Sequence, residues 1–323
     1  MKKILLATTA LIAVGGVSAA SADISITGAS EFKYRSWSDN TDETGDANKN
    51  DYGNTTSFYI KAERTLDNGM TITGYTGQDG SDGAFDDSGF AIMGDFGTLG
   101  FWGSESGDAF ATATDVTPDE SHTIDAGEAL YATPADEHLN GADVSYRSPN
   151  IAGFEFAIGV NEVGASDDNL LGAQYSMTSG DATVTVKFAS QSGGETANAD
   201  PTLRTETDAS STGFVLGYGP LTATLAKNTK EVTTAGTTSY EYEADSIGIT
   251  YMATDRITLS AYTGETEDSQ DDSHKLTDTG LGVSYTVTPG LVLNVTHNDW
   301  DLKDDDFDNE SGTVTSLAIN LTF

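Results

Sequence analysis

From Glu105 to Gly141 the chain carries nine carboxylates, Glu105, Asp108, Asp115, Asp119, Glu120, Asp125, Glu128, Asp136 and Glu137, and neither Lys nor Arg. Carboxylates gathered without counter-charge enrich cations and repel anions through water, and they do so without bond chemistry. Shorter acidic runs recur at Asp39, Asp42, Glu43 and Asp46, at Glu265, Glu267, Asp268, Asp271 and Asp272, and at Asp301, Asp304, Asp305, Asp306 and Asp308. Oxygen ligands suit hard cations, but no run has EF-hand spacing, so a weak calcium site at the last group is the sharpest metal reading and a solvated negative rim the plainer one. No cofactor is required. His122, His138, His274 and His297 have no Cys partner, no H-E-x-x-H neighbour and no nucleophile elbow. His297 with Ser316 is the one base and nucleophile pair that can be constructed, and it is a poor one.

Charge narrows the partners. The chain has 51 acidic and 15 basic residues, a formal charge of −36. That argues against nucleic acid and points to cations as the attracted species. There is no Cys, so disulfides are excluded. Lys2 and Lys3 precede an apolar run from Ile4 to Val17, followed by Ser18, Ala19, Ala20, Ser21 and Ala22. This is the pattern of a signal peptide cleaved after Ala22, and the run is too short to span a bilayer. Residues 1–22 are therefore expected to be removed, leaving a single domain over 23–323.

The elements that must position these groups are strands. Thr313 to Phe323 puts Leu317, Ile319, Leu321 and Phe323 on one face and Ser316, Ala318, Asn320 and Thr322 on the other. The same period of two runs through Ile24–Trp37, Thr55–Leu66, Met70–Gly77, Gly89–Met93, Thr98–Ser104, Asp143–Ser148, Gly153–Asn161 and Leu170–Met177. It continues through Ala182–Ser190, Thr212–Tyr218, Leu221–Asn228, Ser246–Met252, Ile257–Thr263, Thr279–Thr286 and Leu291–Trp300. With the terminal segment these make sixteen strands, and no helical period persists after the leader.

Short connections such as Asp67–Gly69, Gly94–Gly97, Thr178–Asp181 and Gly219–Pro220 interleave with long acidic ones such as Ser38–Asn54 and Gln191–Ser211. The face opposite the apolar residues carries Ser25, Thr27, Glu31, Lys33, Thr183, Thr185 and Lys187, which suits water and would make a poor protein core. Apolar residues outside and polar ones inside describe an all-β transmembrane barrel, closed because lipid tolerates no unpaired strand edge. Trp37, Trp102 and Trp300 lie near segment ends, where interfacial aromatic girdles belong. A chain that stops on Phe323 within a strand implies an apolar cover for that face.

Gly94-Asp95-Phe96-Gly97-Thr98-Leu99-Gly100 resembles the turn and strand before the constriction loop of Gram-negative general porins. Val144-Ser145-Tyr146-Arg147-Ser148-Pro149 with Gly153-Phe154 resembles the hairpin after it. With Thr65-Leu66-Asp67-Asn68-Gly69-Met70 and the terminal Phe323, the resemblance spans the mature chain and runs closest to the porins of alphaproteobacteria. It implies a 16-stranded antiparallel barrel, usually trimeric, whose third extracellular loop folds inward. Here that loop is Glu105 to Gly141, with Glu105, Asp108, Asp115, Asp119, Glu120, Asp125 and Glu128 as the acids of the narrow point. A facing basic cluster is also implied, for which parity offers Lys33, Arg35, Lys61, Arg147 and Lys187. The cluster is thinner than the family often carries, which favours cations.

The function this implies is an outer-membrane porin that passes small hydrophilic solutes and ions passively, with a preference for cations. Its partners would be outer-membrane lipid and lipopolysaccharide, further copies of the chain in a homotrimer, and the barrel-assembly machinery acting on Phe323. Two alternatives stand beside it. A barrel with a plugged lumen could act as a hydrolase or adhesin, and a secreted acidic calcium-binding β protein would share the leader and the charge.

Overall fold

A computed structural model of the chain describes residues 23–39, 50–78, 87–102, 142–161, 168–196, 204–234, 237–268, 271–303 and 310–323. The first eight strands are β1 (Asp23–Asp39), β2 (Asn50–Thr65), β3 (Thr71–Gln78), β4 (Asp87–Gly94), β5 (Gly97–Trp102), β6 (Val144–Arg147), β7 (Phe154–Asn161) and β8 (Asp168–Ser179). The rest are β9 (Ala182–Thr196), β10 (Arg204–Tyr218), β11 (Leu221–Thr234), β12 (Thr237–Thr254), β13 (Ile257–Asp268), β14 (Asp271–Thr288), β15 (Leu291–Lys303) and β16 (Glu310–Thr322). Every strand pairs antiparallel with its neighbours in sequence, and β1 pairs with β16 to close the barrel. Each segment expected from the periodicity overlaps one of these strands, differing by a residue or more at some ends.

Closure follows from the outer face. Ile24, Ile26, Phe32, Phe154, Ile158, Val160, Phe214, Leu216, Leu281, Val283, Leu317, Ile319 and Leu321 stand out from the wall, between 37% and 59% exposed. Covering each with lipid gains roughly 2 kcal/mol relative to water, so a wall this apolar calls for an apolar surround. The alternate residues turn inward and are small or polar, among them Ala157, Ala189, Ser211, Thr224, Ala226, Thr296 and Ser316.

Tight turns hold the register at one end. Between β2 and β3, the amide of Leu66 donates to the carbonyl of Met70 at 2.7 Å and Gly69 donates back to Leu66 at 2.9 Å, with Gly69 at φ 84°. Asn68 Oδ1 accepts from the Met70 amide at 3.1 Å. A side chain at Gly69 would be strained in this left-handed conformation.

The wall is uneven. β3 to β7 run for 8, 8, 6, 4 and 8 residues, whereas β10 to β14 run for 15, 14, 18, 12 and 18. The connection expected over Gln191–Ser211 is therefore mostly strand, since β9 continues to Thr196 and β10 begins at Arg204. The expected Ser38–Asn54 connection is shortened in the same way, because β2 starts at Asn50. Backbone pairing continues there although neither face is apolar, which hides it from a hydropathy pattern.

Candidate functional site

The site is the inner wall. Lys33 and Arg35 stand on β1, Lys61 on β2, Arg147 on β6 and Lys187 on β9, each at a position of inward parity. Two groups result. One gathers Lys33, Arg35 and Lys61 on adjacent strands, and the other lies around the wall on β6 to β9.

Each group brings its own carboxylates. Lys33 is buried, with its Nζ 3.2 Å from Glu31, and Lys61 Nζ is 2.9 Å from Glu63. Arg147 Nη2 donates to Glu155 at 3.3 Å, and Gln174 Nε2 donates to the same carboxylate. Gln174 is opposite Lys187 in the β8–β9 register, so Arg147, Glu155, Gln174 and Lys187 form one polar arc. An exposed pair such as Lys61 with Glu63 contributes about 0–1 kcal/mol to stability. Their larger effect is on the lumen, where Lys33, Lys61 and Arg147 each have a carboxylate within 3.3 Å.

The arc over β13 to β16 is rich in amides and hydroxyls and includes the buried carboxyl of Asp278. Tyr262 Oη donates to Asp278, Asn298 Nδ2 donates to Tyr262 Oη at 3.2 Å, and Thr296 and Ser316 share a hydrogen bond of 2.6 Å. Lumenal aromatics lie against glycines on the next strand. A Cβ at Gly77 or Gly280 would overlap the ring of Tyr59 or Tyr262, and one at Gly312 would sit 2.7 Å from Cζ2 of Trp300. The side chain of Trp300 thus faces inward, 4% exposed, with Leu276 and Leu302, and does not join an interfacial girdle. Leu291, Leu293 and Val295 fix the outward parity of β15, and Trp300 falls on the other. The side chains of Trp37 and Trp102 lie outside those described.

His297 and Ser316 are separated. His297 Nδ1 shares a 2.8 Å hydrogen bond with Thr315 Oγ1 on the outer face, while Ser316 points inward to Thr296. A base and a nucleophile on opposite faces of a sheet cannot exchange a proton. Glu105, Asp108, Asp115, Asp119, Glu120, Asp125 and Glu128 lie outside the described residues, as do Asp304, Asp305, Asp306 and Asp308. Asp301 is described and exposed on β15. Among the described residues no three potential metal ligands gather.

The sequence profile of the Gram-negative porins matches residues 7–305. The chain belongs to the Gram-negative porin family. Solved structures agree on the fold. The anion-selective porin from Comamonas acidovorans superposes with a TM-score of 0.72 at 14% identity, over 94% of this chain and 100% of that one. In-vitro folded OmpT of Vibrio cholerae, in its trimer form, gives 0.65 at 13% identity, over 94% and 100%. OmpF of Salmonella typhi, in complex with daunomycin, gives 0.64 at 15% identity, over 93% and 97%. No curated protein sequence matches the chain. Family and fold together make this porin an outer-membrane channel for small solutes, and both point away from an enzyme.

Lys230 was not among the expected wall cations, although it stands at inward parity on β11. Periodicity ended that strand at Asn228, two residues short. The pairing of Arg147 with Glu155 crosses the β6–β7 hairpin. Matching inward parities on its two arms was the signal that could have located it.

Proposed function

We propose that this porin is a passive, cation-preferring diffusion channel. The observation that carries the reading is the local pairing of Lys33, Lys61 and Arg147 with Glu31, Glu63 and Glu155. Paired cations enrich anions weakly, so the net field is left to the acidic excess of the chain, formally −36. The Comamonas porin is named anion-selective, but at 14% identity the likeness extends to the fold alone. In this reading Glu105 to Gly141 is the inward third loop, and Glu105, Asp108, Asp115, Asp119, Glu120, Asp125 and Glu128 set the ion preference at the narrow point. Arg35 and Lys187 complete the facing wall.

The remaining parts of the proposal concern assembly. Residues 1–22 direct export and are cleaved after Ala22. Phe323 presents the last strand to the assembly machinery, and the mature barrel forms a homotrimer. Lipopolysaccharide surrounds it, with calcium binding weakly at most in the acidic loops.

A planar bilayer under a potassium chloride gradient tests the central claim. The expected result is stable conductance steps with a reversal potential on the cation side. Neutralising Glu105, Asp108 and Asp119 together should move it toward zero without closing the channel. A wild-type reversal potential on the anion side would overturn the preference, and absence of steps from a folded barrel would overturn the channel.

A further inference from the structure

The inner wall over β13 to β16 is buried although it lines a channel. Ser260, Asn294, Thr296, Asn298 and Ser316 have inward parity and are between 0% and 6% exposed. Their neighbours are small, with Gly282 opposite Ser260 and Ala318 opposite Asn294 in the register. Side chains this short do not hide one another from water, so the arc is a ledge with something laid over it. Two of its atoms also call for a hydrogen bond. Ser260 Oγ and Asn294 Oδ1 are buried and have no hydrogen-bond partner among the described residues. Buried polar groups are hydrogen-bonded as a rule, and an amide oxygen only accepts, so the cover must supply an N–H or O–H there. The buried pair on β10 and β11 differs, since Ser211 donates to Asn228 and closes on itself.

Reach selects the occupant. Ser260 lies eight residues before Asp268, the upper end of β13, roughly 26 Å along the strand. It is also four strands from β1, roughly 19 Å around the wall. Of the connections between strands that lie outside the described residues, all but one have ten residues or fewer. Ten residues extend about 18 Å out and back, short of Ser260. Residues 103–141 number 39 and extend about 70 Å out and back, more than the roughly 30 Å width of a 16-stranded barrel. Residues 1–22 have the length too, but their run from Ile4 to Val17 is apolar, a poor match for hydroxyls and amides. Charge agrees with reach. Residues 103–141 carry nine carboxylates and neither Lys nor Arg, and Lys33 and Arg35 border the ledge on β1. The one carboxyl on the ledge, Asp278, accepts from Tyr262.

We propose that residues 103–141 dock on this ledge, and that Ser260 and Asn294 anchor them by hydrogen bonds to their backbone. The anchor is neutral, which leaves the carboxylates of the segment free of it. The seat puts those carboxylates beside Lys33 and Arg35 and across the lumen from Arg147 and Lys187, so the open path runs along the β6 to β9 side. The inference rests on the reading of Glu105 to Gly141 as the inward third loop and is independent of ion preference.

The chain has no Cys, so a single introduced thiol reports alone. The mature porin, folded in micelles, carries N294C or S260C and is labelled with a cationic methanethiosulfonate. K61C, at a side chain 48% exposed, is the open reference. N294C and S260C should react about tenfold more slowly than K61C or slower still, because a covered site is reached only through local opening. Replacing Asp108 to Glu137 with four glycines should bring both up to the reference rate. N294C as fast as K61C in the intact chain overturns the proposal, since residues 103–141 then do not cover the ledge. So does labelling that stays slow after the replacement, which assigns the cover to another segment. Acceleration on shortening upholds the seat at any conductance. Single-channel conductance of the shortened porin reads the inward loop by itself. A rise with slow labelling leaves the loop inward but seated elsewhere, and no rise counts against the inward loop. Should the shortened chain fail to fold, p-azidophenylalanine in place of Tyr262 in the intact porin decides instead. A photo-crosslink to residues 103–141 is expected, and one that falls only elsewhere overturns the seat.

Discussion

Tyr262 lies with its ring against Gly280, its register partner on β14, in the space that a Cβ there would need. Its hydroxyl donates to Asp278, two residues earlier on the same strand, so the ring is tied flat to the inner wall at both ends. Tyr59 uses Gly77 in the same way. Glycine is thus the means by which a large aromatic faces the lumen without projecting into it.

Gly280→Ala should lift Tyr262 off the wall. Overpacking of this kind costs about 1–3 kcal/mol, visible as a lower urea midpoint for the micelle-folded barrel. Single-channel conductance should fall as well, because the displaced ring has only the lumen to enter. Adding Tyr262→Ala should restore conductance to or above the wild-type value. Unchanged conductance in the single variant would show that the ring does not bound the conducting path.

Glu155 governs how Arg147 is seen from the lumen. The pair is only partly shielded, with side-chain exposures of 49% for Arg147 and 18% for Glu155. Glu155→Gln keeps the shape and can still accept from Gln174, but it leaves Arg147 uncompensated. A unit charge a few ångströms from a permeating ion is worth about 1 kcal/mol in water before screening. The cation preference should therefore weaken by up to roughly fivefold, read as a shift of reversal potential toward the anion side. A symmetric variant, Arg147→Gln, should move it the opposite way, and equal shifts of the same sign would refute the pairing argument.

The strands were legible where one face meets lipid and illegible above that level. Leu221, Ala223 and Leu225 of β11 alternate cleanly with Thr222, Thr224 and Ala226. Beyond them Lys227, Thr229 and Glu231 face out while Asn228 and Lys230 face in, and hydropathy no longer distinguishes the faces. Antiparallel backbone pairing carries β11 on to Thr234 regardless. Trp300 is a different failure. The parity of Leu291, Leu293 and Val295 places it inward, whereas nearness to a segment end bears on a tryptophan's depth and not on its face. The inner-wall pairings needed register between strands, which a single strand's pattern does not contain. Lys33 with Glu31 and Lys61 with Glu63 are the exceptions, because residues two apart on one strand share a face by geometry alone.

Phe323 separates the closing of the barrel from its delivery. On the outer face its ring covers Gly28 of β1, where a Cβ would sit 2.8 Å from Cζ, and its backbone exchanges hydrogen bonds with Gly28 at 2.9 and 3.0 Å. Those two backbone bonds survive Phe323→Ala. The ring is 63% exposed, so its loss should cost well under the roughly 3–5 kcal/mol of a fully buried Phe. Refolding of the variant into micelles should therefore proceed to a closed, heat-modifiable barrel with a slightly lower melting point. In cells, the yield of barrel in the outer membrane should fall far more than that small loss of stability accounts for, if the aromatic ring is read during assembly. Parallel measurement of the two yields decides the matter. A fall of equal size in both would make Phe323 a packing residue at the β1–β16 seam, and a fall confined to the cellular yield would make it an assembly signal.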